Sequence, residues 1–526
     1  MKVRSDIVRM YKDVHGWVGI VSGLALFVAF YAGAITMFEQ SLQRWASPPT
    51  TLAAPVSLER TPDLVRAVLA AHPEAAKGYT VHLETGREQP ARVSWQQAEP
   101  GGDEHGARRT FHAALAPDGT LQVEEDGPSP VAQFVDVLHQ QVGIMLEHEA
   151  AMPIMGAVAL LYAIALVSGV IVLLPSLVKD LFAMRMGRNV KRMWLDVHNL
   201  LGVFSLPFHI IMALTAVVFA FHDQFYDAQG ATFSHAEERP AAKAPSPPPP
   251  PLAEPLPPAA VMQTLAREVP GFTPIALAYG RGRDGAPSLR AMGRDDRYGL
   301  RGPTFTPVIL DPGTGAVVGS DYLGGVQDGW GAAITGFFAL HFGSFGGIGV
   351  RWAYFLLGLA GAFLFYTGNL LWVESRRKRE RKAGAVEQTR STRILGALTV
   401  GVPLGCIAGV ALTIAAAKPL GAGATEVMHS LIYHAVFLAF VAWALLRGSA
   451  RGALELLPAA ALALLAIPAA TLVFVMRHPP AVLGVDLLAL AGSVVLLASW
   501  QATRRRTRSG PADSVWSSRA AMPSRA

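Results

Sequence analysis

The sequence predicts an all-α polytopic membrane protein of about eight transmembrane helices that carries two small α+β domains outside the cytoplasm. Three observations carry that class. Over 526 residues the chain is 51% hydrophobic and only 16% charged, too apolar a balance for an ordinary soluble protein of this length. Its apolar residues fall in long blocks, and roughly twenty such residues span a bilayer core of about 30 Å as a helix, where the backbone must satisfy its own hydrogen bonds. Two long segments, about 39–138 and 222–340, interrupt the blocks with the patterning of soluble domains.

The blocks place spans near residues 16–38, 152–175, 199–221, 350–373, 394–416, 427–446, 454–476 and 481–500. The first reads as an uncleaved anchor, because its apolar run is longer than a signal-peptide core and lacks a small-residue cleavage site. Lys and Arg set orientation. They collect before the first span (Lys2, Arg4, Arg9, Lys12), between the second and third (Lys179, Arg185, Arg188, Lys191, Arg192) and between the fourth and fifth (Arg376, Arg377, Lys378, Arg379, Arg381, Lys382). Arg447 and Arg451 lie between the sixth and seventh, and Arg504, Arg505 and Arg506 follow the eighth. With eight spans every cluster faces one side, so both termini are expected in the cytoplasm. The net charge of +6 is then topology-setting charge that meets membrane lipid, and no nucleic-acid partner is expected.

The division that follows is 1–38, N-terminal segment and first span; 39–138, first external domain; 139–221, second and third spans with their cytoplasmic loop; 222–340, Pro-rich linker and second external domain; 341–382, fourth span and basic loop; 383–506, four-span C-terminal extension; 507–526, disordered tail. Both external segments share one order of elements. Residues 57–71 read as an amphipathic helix, followed by strand-like runs at 79–84, 91–96, 110–115 and 121–124, with a turn at Pro117-Asp118-Gly119. A second helix at 258–268 precedes strand-like runs near 272–279, 287–292, 304–311 and 315–320, with a turn at Asp311-Pro312-Gly313. The stretch 245–258 is a stiff Pro-rich linker.

Chemistry points to histidine. His15 and His198 each stand at the cytoplasmic start of an outgoing span, while His139 and His341 each lie near the external start of a returning one. The four make two pairs, one at each face. Haem iron accepts two axial imidazoles from facing helices, and glycine lets the macrocycle approach the backbone; Gly16, Gly19 and Gly23 follow His15, Gly202 follows His198, and Gly343, Gly346 and Gly347 follow His341. The alternative is four interfacial histidines that hydrogen-bond water. Cys406 is the only cysteine, so there is no C-x-x-C-H attachment and any haem is b-type.

His209, eleven residues after His198, returns to nearly the same face of a continuous helix about 16 Å deeper, although Pro207 should loosen the helix there. It is a candidate for ligating or edging a haem. His148 is a candidate in place of His139 if the segment joining them is broken. His222, His429 and His434 read as interfacial residues. A zincin-like start at His148-Glu149 fails because Met152 stands where the second ligand is required.

The strings "DVHGWVG" (13–19), "VLHQQVG" (137–143), "WLDVHNLLGVFSLPFH" (194–209) and "ALHFGSFGGIGVRWAYFLLGLAGAFLFYTGNLLWVE" (339–373 with Glu374) resemble the PepSY-associated transmembrane family of iron-regulated membrane proteins, which includes inner-membrane ferric-siderophore reductases. The resemblance covers about residues 10–380. It implies a four-helix core, PepSY-like periplasmic domains and two b-type haems, with His15, His198, His139 and His341 as the matching ligands. It also implies a multi-pass protein of a bacterial inner membrane, a cytoplasmic or quinol electron donor, and a periplasmic ferric complex as acceptor. The four-span extension departs from the smaller reductases of that kind. A non-enzymatic reading, in which the external domains bind or restrain an envelope partner, stands beside it, as does a transporter that moves the ferric complex intact.

Overall fold

The computed structural model describes residues 4–86, 89–98, 108–177, 190–222, 224, 256–281, 286–320, 322–384, 388–474, 483–510 and 514–517. Lys2, Lys179, Arg185, Arg188, linker residues 245–255 and tail residues 518–526 lie outside them. The chain divides into two compact bodies, one of residues 1–47, 129–224 and 352–526, the other of residues 48–128 and 225–351.

The first body is helical. Six helices are long and apolar enough to cross a membrane: α1 (Ser5–Thr36), α5 (His148–Leu173), α10 (Gly347–Lys382), α11 (Arg390–Leu420), α12 (Glu426–Phe474) and α13 (Leu483–Ser509). Two short helices accompany them, α2 (Glu39–Ala46) and α4 (Val131–Gln141). Between α5 and the second body's segment come α6 (Val190–Phe204) and α7 (Leu206–Ala220), an apolar pair bent by 69° at Ser205. Pro207 lacks the N–H that would continue the ladder, and its ring crowds the turn before it. The expectation that His209 repeats the face of His198 on one straight helix is therefore corrected: the two sit on different helices.

α12 contains a reversal at Gly448, whose φ of 73° and ψ of 168° suit glycine. A Cβ on Gly452 would lie 3.3 Å from the Cα of Ala444, whereas eight residues of straight helix rise about 12 Å. The two arms thus run back against each other. α11 is the enclosed member of this bundle, 78% buried over its apolar window against 17% for α13. Thr507–Ser509 continue α13, and Ser514–Ser517 pack down, with the Val515 N–H donating to Gln388 Oε1 at 2.7 Å.

One end of this body gathers the basic residues. Glu374 near the end of α10 meets Arg377 at 3.1 Å and Arg506 of α13 at 3.9 Å, and Lys191 of α6 donates to Ser375 at 2.8 Å. Elsewhere Trp45 of α2 ties to the C-terminal bundle: its indole N–H lies 3.1 Å from both Thr471 and Asp486, and Lys418 donates to its carbonyl at 2.7 Å.

The second body is built on one antiparallel sheet of eight strands in the order β4-β3-β2-β1-β5-β6-β7-β8. The strands are β1 (Tyr79–His82), β2 (Val93–Ala98), β3 (Arg108–Leu115), β4 (Leu121–Asp126), β5 (Thr273–Arg281), β6 (Pro287–Arg294), β7 (Thr306–Leu310) and β8 (Val317–Gly319). Each half is one helix followed by a four-strand meander, with α3 (Thr61–Ala71) in the first and α8 (Pro258–Glu268) in the second. The halves join through their first strands, Tyr79 opposite Tyr279 and Val81 opposite Leu277, with the two tyrosine rings stacked at 5.0 Å. Joining edges leaves β1 and β5 without an unpaired edge. Alternate residues Leu277, Leu289, Leu310, Val81 and Val93 turn to the helices, where Leu64 and Leu265 are also buried. α9 (Gly329–Phe342) belongs to this body, begins under the Asp328 cap and ends at Gly343 in the left-handed region.

Candidate functional site

α1 carries His15 and α6 carries His198, and the helical body brings them together with ring centroids 6.3 Å apart. Each imidazole is fixed through Nδ1. His15 Nδ1 lies 2.8 Å from the carbonyl of Ala165 on α5, and His198 Nδ1 lies 3.0 Å from the Thr367 hydroxyl on α10. That hydroxyl donates to the Leu364 carbonyl at 2.8 Å, so its oxygen accepts the His198 N–H. A carbonyl can only accept, so His15 is also the Nδ1–H tautomer. Both rings therefore keep an Nε2 lone pair, the arrangement that orients histidine ligands to a metal.

The ring planes are inclined by 69°, and a metal about 2.0–2.1 Å from one nitrogen of each ring would hold the centroids on the order of 6 Å apart. Glycine makes the approach of His15 possible: a Cβ at Gly169 of α5 would come 2.9 Å from His15 Cε1, whereas at Gly368 of α10 a Cβ would meet His198 Cε1 at 3.5 Å, an ordinary contact. Among the described residues no group of three or more His, Cys, Asp or Glu could hold a bare metal ion. Two imidazoles alone suit a metal that brings its own equatorial ligands, as haem iron does.

The other sequence candidates are distributed as follows. His139 sits near the end of α4, its Nδ1 2.8 Å from the Ala29 carbonyl, its ring against Gly33 of α1. His341 lies at the end of α9 in the sheet body, edge-on to Phe342 at 5.5 Å. His139 and His341 thus fall in different bodies. The segment after His139 is broken by left-handed Val142 (φ 49°) and Gly143 (φ 75°), yet His148 stands exposed as the first residue of α5. It is His139 that a neighbouring helix holds. His209 of α7 is 1% exposed and hydrogen-bonded to Tyr162 of α5.

Sequence reading missed the anchors. Thr367 and Tyr162 are polar side chains within apolar spans, which is itself a signal of a role inside the membrane. His429, expected at the interface, is fully buried beside Phe134. The motif Gly401-x-x-x-Gly405-x-x-x-Gly409 also passed unnoticed, although small residues at that spacing let helices approach closely.

Residues 13–375 match the family model described as the PepSY-associated TM region. No curated protein sequence matches the chain.

Proposed function

Because the chain belongs to the family of the PepSY-associated TM region, we propose that its helical core holds a b-type haem between His15 and His198 and conducts electrons across a bacterial inner membrane to an external ferric complex. The observation that carries this reading is the imidazole pair itself: two rings from different helices at 6.3 Å, each locked through Nδ1. Haem bound there supplies one-electron redox chemistry. The protein's part is to hold two neutral imidazoles in fixed orientation, to keep water from them with apolar helices, and to tune the iron through the Ala165 and Thr367 contacts.

The proposal includes a second b-type haem nearer the outer face, for which the sequence offers His139 and His341. With the α6–α7 pair taken as one span and α12 as two, the chain crosses eight times. The basic end around Glu374 is then cytoplasmic and accepts electrons from a cytoplasmic or quinol donor. Reduction of Fe(III) to Fe(II) weakens hard-oxygen chelation, so a ferric siderophore would release its iron.

Purified protein reduced with dithionite should show b-type absorption bands. His15→Ala and His198→Ala should each remove the same haem equivalent, and the double variant no more than either. A colourless wild-type protein would sink the reading and favour a membrane-anchored module that binds an envelope partner. Two single variants that remove different equivalents would break the pairing.

A further inference from the structure

We propose that His209 is a further iron ligand of the helical core, presenting Nε2 to a haem separate from the one assigned to His15 and His198; the inference rests on the haem reading above. His209 is among the most deeply buried side chains of the protein. Its ring is walled by Phe30, Phe208 and Phe365, at centroid distances of 5.6, 5.7 and 6.2 Å. Nε2 is buried and has no hydrogen-bond partner among the described residues.

Proton accounting gives that nitrogen its character. Tyr162 Oη lies 2.5 Å from His209 Nδ1 and 3.1 Å from the His209 carbonyl oxygen. The phenol has a single proton. If it goes to the carbonyl, Nδ1–H donates to Oη and both contacts are made. If it goes to Nδ1, two oxygens face each other with no hydrogen between them, and an Nε2–H is buried among phenyl rings with no acceptor. The first arrangement satisfies every proton and leaves a bare lone pair on Nε2. A lone pair buried among phenyl rings meets no donor there, and an electron-pair acceptor is what this nitrogen lacks.

The same design recurs at His15, His198 and His139, where Nδ1 is occupied by a neighbouring helix. The site is nevertheless distinct. His209 faces Gly361 and His198 faces Gly368, seven residues apart on one face of α10, which is about 10 Å of rise. An iron between His15 and His198 is out of its reach. The surroundings are apolar: aromatic walls, and a glycine at 361 that lets the Phe30 and His209 rings lie against α10, where a Cβ would come 2.5 Å from Phe30 and 3.1 Å from His209.

The test uses the full chain in nanodiscs, with haem-to-protein ratio, low-spin ferric EPR and redox titration as readouts. His209→Gly should lose one haem equivalent or turn one low-spin signal high-spin. His15→Ala should affect a different one, and the double variant should lose both. Millimolar imidazole should restore the low-spin signal of His209→Gly, which mere repair of packing would not do. Tyr162→Phe should keep the ratio and raise one midpoint potential, since the ligand loses the acceptor that strengthens its donation. An unchanged ratio and EPR spectrum in His209→Gly overturns the proposal. Should that variant not fold, a Tyr162→Phe protein with every potential unmoved overturns it equally. Wild-type protein without haem refutes the haem reading itself, and this inference with it.

Discussion

A neutral imidazole has one N–H and one lone pair, and in an apolar interior each needs a partner. Within the helices the N–H side is met by Ala165, Thr367, Ala29 and Tyr162, so position on the helix sets which nitrogen is left to act. The sheet body uses histidine differently. His82 of β1 shares a 2.7 Å hydrogen bond with Ser94, and burial, reinforced by His112 and Arg92, lowers its pKa to about 4. Unfolded, the same ring titrates near 6.5, so below that pH the unfolded chain binds a proton that the folded one refuses. Stability therefore falls as pH drops from about 7 towards 4, by at most about 3 kcal/mol. Amide protection in β1 and β2 of the full-length protein, corrected for intrinsic exchange, should weaken over that interval. His82→Gln should flatten the trend, and an identical pH profile in that variant would mean the titrating group lies elsewhere.

At the scale of elements, local pattern was legible and long-range pairing was not. The helix read at 258–268 is α8, and alternation placed all eight strands to within a few residues, because side-chain period is a local property. Nothing local encodes the pairing of Tyr79 with Tyr279, so two separate sheets were the natural reading. Pro207 announced a weakened helix but not a 69° bend, and the face-paired histidines announced His15 with His198 but not their Nδ1 partners. The C-terminal bundle was the least legible part, since it offers apolar residues all round. Its logic lies in glycine: a Cβ at Gly401 would be 2.9 Å from Val441 Cα, at Gly405 3.0 Å from the Phe437 carbonyl, and at Gly409 3.1 Å from the Tyr433 carbonyl. α11 thus lies directly on the backbone of α12. Gly405→Val should cost about 1–3 kcal/mol through overpacking, seen as a lower thermal midpoint in detergent, while Gly423→Ala, with nothing within 4 Å, should leave it unmoved. Equal midpoints would show that the close approach is not what holds the bundle.

For the whole molecule, the proposed orientation rests on charge and connectivity. Arg377, Arg506 and Lys191 belong to the end of α10, the end of α13 and the start of α6, and all converge around Glu374 and Ser375. One end of the helical body is therefore basic, and the proposed orientation puts that end on the cytoplasmic side because moving Lys and Arg through the membrane is costly. Along the chain, residues 48–128 come between α1 and α5, and residues 225–351 come after α7 and run into the start of α10. The proposed orientation predicts both halves of the sheet outside the cytoplasm. A periplasm-dependent reporter inserted in the turn at Gly119 or at Gly313 should be active at both positions, and a cytoplasm-dependent one at neither. Fusions after Lys382 should give the reverse. Since both halves contribute strands to one sheet, activity on opposite sides of the membrane for the two turns is physically incompatible with this fold, and cytoplasmic activity at both would invert the protein and reverse the direction in which it is proposed to conduct.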